Sequence, residues 1–445
     1  MISRRTLLGV SASAALGAAL TPALSALASQ FRRDAEPVPT GPMPDAIAKI
    51  PSFAGKVPPF TNDERLARIA RARELMGQQK IEAIVLANST SNTIYFANIS
   101  LGASERMWAL VIPAQAAPFL VCPAFERDRA AEMLADTPLA QNADVLTWQE
   151  NESPFALVVH ALSDRGIRSG QVGLDENMKF TFAYELMKAG PSLHFVSATP
   201  VTGGCRMIKD DHELQCLRTA GAATLAVYEA VYRSVQEGMT THDVHNLVQM
   251  AYAKTGLPGE ASLNIDEYTA VPHGSRKPQT IRQGSILMLD DGCVVQGYTS
   301  DITRTFCYGK PTDKQRKVFD IVKAAQTAAI KTARPGLLMA DVDLAARRVI
   351  TDAGYGPGYK FFTHRVGHGI GMDMHEWPYL SENNMFLDDR HPVLAANMTF
   401  SDEPGIYIHG EFGVRLEDEL HITTDGAELL TAQSPSLDEP FARES

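Results

Sequence analysis

The residues whose side chains could catalyse a reaction or bind a metal are concentrated after residue 270. They lie on strand-like segments, and Asp290 directly follows the apolar run Leu287-Met288-Leu289. Such a run predicts a buried strand that delivers its carboxylate into a cleft, where it is costly unless it is paired or bound to a cation. Taken singly, each candidate has an ordinary interpretation, as a turn residue or a structural histidine. The candidates are His273, Asp290, Asp301, His364, His368, His375, Glu403 and Glu417.

The chemistry of this set favours a pair of metal ions. Several carboxylates that converge with an imidazole would repel one another, and two divalent cations would offset that repulsion. Four carboxylates and one histidine form an oxygen-rich, moderately hard donor set, which suits Mn²⁺, Fe²⁺, Co²⁺ or Zn²⁺ better than a soft metal. Two ions about 3.5–4 Å apart could share a hydroxide and so supply a nucleophile at neutral pH. The glycines around His368 would let backbone and substrate approach closely.

Two pairs of helices are predicted around these segments, and the second pair repeats the first. Asp210 and Glu213 have the spacing of a capping box, which starts one helix, and a second helix is expected between Thr240 and Gly256. The recurrence of its markers indicates an internal duplication, which predicts a pseudo-twofold domain with a cleft at the seam. The matching positions are Gly238 and Gly336, Asp243-Val244 and Asp341-Val342, Gly256 and Gly354, with a further capping box at Thr312 and Gln315.

The region between residues 61 and 205 has the pattern of a separate α/β domain, because strand-like and helical segments alternate along it. Helices are expected at Asp63–Gln79, 125–135 and 153–165. The expected strands are Ile84–Leu86, Thr93–Phe96, Trp108–Ile112, Phe119–Val121 and Val172–Leu174.

The N-terminal sequence is typical of a signal peptide. Arg4-Arg5 precede a charge-free stretch that closes with Ala26-Leu27-Ala28, and the pattern resembles a twin-arginine signal, so we expect export to the periplasm. A retained membrane anchor is the alternative, although Gly9, Gly17 and Pro22 make a weak spanning helix. The proline-rich segment that follows is expected to be an extended tether or wrapping arm without core residues.

Composition excludes several classes of protein. The 445 residues carry a net charge of -11 and no long Lys/Arg run, which argues against binding to nucleic acid or an anionic membrane. No other stretch is apolar enough to suggest stable membrane insertion after cleavage. The five cysteines are too scattered for a disulfide scaffold or a zinc ribbon, although Cys205 and Cys216 are close enough in sequence to pair.

From about residue 208 to 424 the sequence resembles the pita-bread metallopeptidases, and it is most similar to the aminopeptidase P/prolidase branch. Residues 60–200 resemble the creatinase-type N-terminal domain of that branch. The resemblance implies an α/β (α+β) fold, in which a creatinase-like N-terminal domain precedes a pseudo-twofold pita-bread catalytic domain. The expected segments are a signal peptide (1–28), a tether (29–60), the N-terminal domain (61–205), the catalytic domain (206–432) and a tail (433–445).

By this resemblance, the metal ligands are Asp290, Asp301, His368, Glu403 and Glu417. Asp301 and Glu417 would bridge two divalent ions, most simply Mn²⁺, with Co²⁺, Zn²⁺ and Fe²⁺ as alternatives, and Glu403 would also take up the proton of the bridging hydroxide. The resemblance gives catalytic roles to His273, His364 and His375, which would hold the substrate, stabilise the tetrahedral intermediate and move protons, and to Arg415.

The implied activity is hydrolysis of the Xaa-Pro bond at a peptide N-terminus or in a dipeptide. The substrate would be a peptide with proline at its second position, and the enzyme is expected to be a homodimer. Two alternatives stay open. The same scaffold hosts hydrolases and lyases of small non-peptide substrates, and fold alone does not choose between them. The second alternative is that the chain is not an enzyme but a non-catalytic peptide-binding module. The presence of all five metal positions argues against this alternative.

Overall fold

The computed structural model of the chain describes residues 41–88, 90–102, 104–382 and 392–441. The predicted signal peptide over residues 1–28, the first part of the predicted tether and residues 442–445 of the tail lie outside these ranges. Export by the twin-arginine route therefore stays a prediction. No helix within the described ranges has both the length and the apolar character needed to cross a bilayer.

The N-terminal domain is built on one mixed sheet of six strands in the order β4-β3-β2-β1-β5-β6. The strands β1, β2 and β3 are antiparallel to their neighbours within that trio, whereas β4, β5 and β6 each join the sheet in parallel. β2 and β3 are buried along their whole length, which explains their unbroken apolar sequences. The strands are β1 (Ile81–Ala87), β2 (Ala109–Pro113), β3 (Phe119–Pro123), β4 (Asp144–Trp148), β5 (Gly170–Leu174) and β6 (Leu193–Ser197).

Seven helices belong to this part of the described chain. The longest of them begins with a capping box in which the Thr61 hydroxyl accepts from the Glu64 amide and the Glu64 carboxylate accepts from the Thr61 amide. The helices are α1 (Asp45–Ala48), α2 (Asn62–Gln79), α3 (Ser91–Ala97), α4 (Arg127–Ala135), α5 (Pro154–Asp164), α6 (Phe180–Ala189) and α7 (Thr199–Arg206), with a short 3-10 helix at Ala124–Glu126.

The prediction of a strand at Thr93–Phe96 was wrong, because these residues lie in helix α3. Every residue of α3 is buried, so the helix has no polar face and its sequence shows no helical period. A short apolar run of β-branched and aromatic residues cannot be told from a buried strand by periodicity alone.

The prediction that the proline-rich segment adds nothing to the core was also wrong for its described part. Its apolar side chains are buried in the same core as those of α2 and the catalytic domain, and the Phe53 amide donates to the Thr255 carbonyl at 2.8 Å. The segment contains the short helix α1 and several prolines, and its apolar residues anchor it to the core. The anchoring residues are Ile47, Ile50, Phe53, Val57 and Phe60.

The described part of the catalytic domain contains two pairs of helices, as the repeated markers predicted. Capping boxes start three of the four helices, at Asp210, Thr240 and Thr312. The glycines that match between the two copies all have positive φ, between 75° and 91°. The helices are α8 (Asp211–Tyr232), α9 (Thr241–Thr255), α10 (Asp313–Thr332) and α11 (Met339–Asp352).

The strands of the catalytic domain form a three-stranded sheet (β11-β8-β7), a five-stranded sheet (β13-β12-β14-β17-β18) and two hairpins (β9-β10 and β15-β16). The strands are β7 (Ser262–Ile265), β8 (Ile286–Asp290), β9 (Val294–Val295), β10 (Tyr298–Thr299), β11 (Arg304–Cys307), β12 (His368–Gly369), β13 (Glu376–Tyr379), β14 (Thr399–Asp402), β15 (Gly405–Ile408), β16 (Phe412–Arg415), β17 (Asp418–Ile422) and β18 (Ala427–Leu429), and a 3-10 helix spans Asp266–Ala270.

All five cysteines are buried and have free thiols. Cys205 lies in α7 and Cys216 in α8, and no disulfide joins them. The pairing that the sequence left open is therefore not formed.

Candidate metal centre

The strands of the catalytic domain bring the five expected ligand residues to one place. Asp290 ends β8, Asp301 follows β10 and His368 begins β12, whereas Glu403 follows β14 and Glu417 lies between β16 and β17. One ligand atom from each member lies within 4.8 Å of the others in each of three overlapping groups. These groups are Asp290-Asp301-Glu417, His368-Glu403-Glu417 and Asp301-His368-His375.

His368 lies at the centre of these groups. Its Nε2 atom is 3.2 Å from Glu403 Oε1 and 3.7 Å from Asp301 Oδ2. Its Nδ1 atom lies 3.1 Å from the Gly369 carbonyl, to which an Nδ1–H would donate, so Nε2 is the nitrogen that faces the carboxylates. Without a cation, a proton on Nε2 can bond to Glu403, and a bound metal ion would take the place of that proton. The imidazole is therefore oriented as a metal ligand requires.

The electrostatics of the cluster fit a pair of divalent cations. Burial, together with the charges of the neighbouring carboxylates, raises the pKa values of Asp301 and Glu417 well above the ordinary range. Burial also opposes ionisation of Glu403, but the His368 hydrogen bond brings its pKa down to about 2. Buried carboxylates that resist ionisation next to one another are stabilised by bound cations, and these oxygen donors with one imidazole match Mn²⁺, Fe²⁺, Co²⁺ or Zn²⁺.

Arg415 and Thr303 hold two of the carboxylates in position. Arg415 ends β16, and its guanidinium donates to Asp290 and, at 2.9 Å, to the Thr303 hydroxyl. That hydroxyl lies 2.7 Å from Asp290 Oδ1 and 2.6 Å from Glu417 Oε2. Thr303 therefore links the two carboxylates, and Arg415 supplies a buried positive charge beside them.

His364 belongs to a hydrogen-bond network next to this cluster. Its Nδ1 atom lies 2.8 Å from the Arg365 carbonyl and its Nε2 atom 2.7 Å from the Tyr407 hydroxyl. Arg415 donates to the same hydroxyl at 3.1 Å, so the Tyr407 proton points towards His364. Burial lowers the pKa of His364, and both of its ring nitrogens are occupied in this arrangement.

His375 and His273 lie at the open side of the cluster. The His375 ring is 3.7 Å from the His368 ring between centroids, and it makes no hydrogen bond with the described part of the chain. Burial and the neighbouring His368 lower the pKa of His375 to about 4, so it is neutral near pH 7. His273 is exposed, and the Arg415 guanidinium fixes the preceding carbonyl, that of Pro272, at 3.0 Å.

We expect His375→Ala to lower turnover by about 10²- to 10⁴-fold, because a residue that moves a proton in the transition state contributes about that much. The metal content of the variant should stay at the wild-type level. Steady-state kinetics and the metal content of the purified variant are the two measurements. His375 is also a member of one metal group. Loss of metal in parallel with turnover would make His375 a ligand and would contradict the role assigned here.

A cavity of about 200 Å³ opens next to His375, between the two domains. Trp377 and Tyr379 of β13 form one wall, and Asn177 and Thr199 of the N-terminal domain form the other. The bulky Trp377 therefore shapes the space beside His375.

Three contributors to the site were missed from the sequence. Thr303 and Tyr407 lie two and four residues after Asp301 and Glu403, so the alternation of side chains along a strand was an available signal. Glu419 Oε1 accepts from the Asp301 amide at 2.9 Å and lies two residues after Glu417. A search two residues after each expected ligand would have found Thr303 and Glu419, and a search four residues after would have found Tyr407.

Comparison with known proteins agrees with this geometry. The profile of Metallopeptidase family M24 matches residues 215–424, and that of the Creatinase/Prolidase N-terminal domain matches residues 68–208. An Xaa-Pro dipeptidase of Lactobacillus delbrueckii subsp. lactis is 31% identical over 362 residues, which are 80% of this chain and 94% of that protein.

Solved structures show the same two-domain arrangement. The dipeptidase PepE from Mycobacterium ulcerans superposes with a TM-score of 0.77 at 30% identity, covering 86% of this chain and 99% of that one. A prolidase from Thermococcus sibiricus superposes with a TM-score of 0.72 at 27% identity, covering 83% and 97%. The chain thus belongs to metallopeptidase family M24, with a creatinase/prolidase N-terminal domain followed by a pita-bread catalytic domain.

Proposed function

We propose that this metallopeptidase hydrolyses the bond between an N-terminal residue and proline, in a dipeptide or a short peptide. The observation that carries the proposal is the convergence of Asp290, Asp301, His368, Glu403 and Glu417 in overlapping groups beside a small cavity. The preference for proline rests on the relatives, which include an Xaa-Pro dipeptidase and a prolidase.

The five expected ligands would hold two divalent ions, of which Mn²⁺ is the simplest choice for this oxygen-rich set. When bound, such ions supply an activated water at neutral pH and polarise the scissile carbonyl. Glu403, which accepts a hydrogen bond from Ser401 at 3.2 Å, is the carboxylate placed to take up the proton of the attacking water. Its lowered pKa in the metal-free cluster means that the carboxylate is ionised at neutral pH, which a proton acceptor requires.

The remaining polar side chains orient the substrate. His375 is neutral and has its ring nitrogens available, so it can donate a hydrogen bond to the oxygen on which negative charge develops. His273 lies at the exposed edge, where it can contact the substrate backbone. His364 acts through Tyr407 and Arg415, because both of its nitrogens are already engaged, and it keeps the arginine aligned with Asp290.

The test is hydrolysis of an Xaa-Pro dipeptide, an Xaa-Pro-Yaa tripeptide and a proline-free dipeptide, each with added Mn²⁺ and with a chelator. We expect kcat/KM for the proline substrates to exceed that for the proline-free control by at least about tenfold, and the chelator to abolish all three activities. The dipeptide-to-tripeptide ratio then separates a dipeptidase from an aminopeptidase.

Two outcomes would contradict the proposal. Equal rates on proline-containing and proline-free dipeptides would show a general dipeptidase. A metal-loaded enzyme that cleaves none of the three peptides would point to a non-peptide substrate on the same scaffold.

A further inference from the structure

A second polar cavity, of about 100 Å³, lies where helix α2 of the N-terminal domain meets the β9-β10 hairpin of the catalytic domain. Arg65 and Arg68 line it from α2, whereas Gln296 and Tyr298 line it from the catalytic domain. None of these residues belongs to the metal cluster described above. The cavity therefore calls for a separate explanation.

Arg65 brings a positive charge into this cavity without a counter-ion. Its side chain is only 7% exposed, and one guanidinium nitrogen donates to the carbonyls of Phe60 and Thr61. Its Nε atom is buried without a hydrogen-bond partner, and no carboxylate within the described ranges lies within 4.0 Å of the guanidinium. A buried guanidinium is costly unless an anion offsets its charge.

Arg68 is the second buried guanidinium, and its charge is already offset. It is 6% exposed, donates to the Tyr298 hydroxyl at 3.2 Å, and lies 3.6 Å from Glu213 Oε1. Its Nε atom also has no hydrogen-bond partner. Glu213 therefore offsets the charge of Arg68, and the charge of Arg65 has no buried carboxylate within 4.0 Å among the described residues. Burial and the nearby Arg68 lower the pKa of Arg65 to about 10. The Arg65 guanidinium is therefore still ionised at neutral pH.

We propose that this cavity binds a tetrahedral oxyanion of the phosphate type, either as the free ion or as the terminal group of a phosphomonoester. Guanidinium groups offer paired N–H donors that match such an ion, and hydrogen bonds of this kind are the strong ones. A volume of about 100 Å³ equals roughly three water molecules, which suits one phosphate group. The Gln296 amide at the wall donates one N–H to the Val57 carbonyl at 3.0 Å, which leaves its second N–H for an oxygen of the ion.

An ion bound here would touch both domains, because α2 and the β9-β10 hairpin face each other across the cavity. A ligand that binds only the folded protein stabilises it by an amount that rises with the logarithm of the ligand concentration once that exceeds the Kd. The proposal does not depend on the Xaa-Pro specificity proposed above.

The experiment is a titration of the full chain with inorganic phosphate, sulfate, glycerol phosphate and chloride, followed by calorimetry and by the shift in Tm. It is done with a chelator present, because phosphate also binds divalent ions. We expect saturable binding of phosphate and sulfate with a rise in Tm, and little effect of chloride. Comparable binding of glycerol phosphate assigns a phosphomonoester as the occupant, and exclusion of it assigns the free ion; both outcomes support the site.

Variants of the same region make the test specific. Arg65→Gln is expected to weaken phosphate binding at least about tenfold, since a charge-assisted pair of hydrogen bonds is lost. Arg71→Gln, on an exposed part of the same helix, should bind as the wild type does. The exposed carboxylate of Asp136 lines the cavity and opposes an anion, so Asp136→Asn should tighten binding without disturbing the core.

If Arg65→Gln does not fold, the phosphate affinity of Asp136→Asn relative to that of the wild type tests the proposal. The proposal is overturned if neither phosphate nor sulfate binds the chelated wild-type protein saturably. It is also overturned if Arg65→Gln and the wild type bind equally, or if Asp136→Asn leaves the affinity unchanged.

Discussion

Asp301→Asn is expected to abolish stoichiometric metal binding and to lower kcat/KM by at least about a thousandfold, which corresponds to ~4 kcal/mol of transition-state stabilisation. Asp301 is a member of two of the three metal groups, so its carboxylate joins the acidic half of the cluster to the half that contains His368. Asparagine keeps the shape of the side chain but removes the charge that a divalent ion requires. Metal analysis after dialysis and kinetics on an Xaa-Pro dipeptide are the measurements.

The same substitution should leave the metal-free protein as stable as the wild type, or more stable. Burial and the charges of Asp290 and Glu403 raise the pKa of Asp301 well above its ordinary value, so the ionised carboxylate opposes folding in the absence of cations. We therefore expect added Mn²⁺ to raise the Tm of the wild type and to leave that of the variant nearly unchanged.

Asp291→Asn is the matched control. Asp291 is also a buried carboxylate beside Asp290, but it is in none of the metal groups, and its Oδ2 atom accepts from the Ser262 amide at 2.9 Å. Burial and the charge of Asp290 raise its pKa to about 8, so it is largely protonated at pH 7 and asparagine replaces it closely. Loss of metal from the control, or retention of both metal ions and activity in Asp301→Asn, would contradict the ligand assignment.

The sequence predicted those features of the fold and the site that depend on residues close together along the chain. Capping boxes at Asp210, Thr240 and Thr312 identified helix starts because their hydrogen bonds join residues three apart. Buried strands that end in an acid, such as the one before Asp290, identified carboxylates that later proved to converge. Because each of these features depends on only a few consecutive residues, it can be predicted from a single sequence.

The sequence was uninformative where the contact partners are far apart along the chain. Arg206 lies about 170 residues before its partners Asp373 and Glu376, and no spacing rule connects them. The same holds for the arginine pair that faces Tyr298 across the domain junction. Helix α3 was misread for a related reason, because its burial is decided by the domain that surrounds it and not by its own seven residues.

The most damaging single change to stability is expected to be Arg206→Met. Arg206 ends α7 and is 5% exposed, and its guanidinium donates to Glu376 and, at 2.6 Å, to Asp373 of the loop that carries His375. Breaking a buried ion pair from one side leaves an uncompensated charge in the interior, which costs about 3–5 kcal/mol. Urea denaturation should show that loss in the free energy of unfolding, and kcat should fall as well because the His375 loop loses its anchor.

Two comparisons separate this effect from the general cost of losing an arginine. Arg106 pairs with Glu105 and Glu150 on the surface, where water screens the charges, so Arg106→Met should lower the free energy of unfolding far less than Arg206→Met does. Adding Asp373→Asn to Arg206→Met should restore part of the lost stability, because it removes the carboxylate that has lost its ion pair, whereas Glu376 keeps Lys209 at 2.7 Å. If Arg206→Met is no more destabilising than Arg106→Met, the buried pair does not hold the two domains together.

The pH dependence of the Arg206 effect follows from Asp373. Burial opposes its ionisation, yet the Arg206 guanidinium and the Ser91 hydroxyl bring its pKa below the ordinary value of 3.8. A carboxylate whose pKa is lower in the folded than in the unfolded state adds stability above its unfolded pKa and loses it as the pH falls through the folded value. The stability difference between the wild type and Arg206→Met should therefore be constant from pH 7 to about pH 5 and should shrink below about pH 4. A difference that shrinks instead as the pH rises above neutrality would assign the effect to a group other than Asp373.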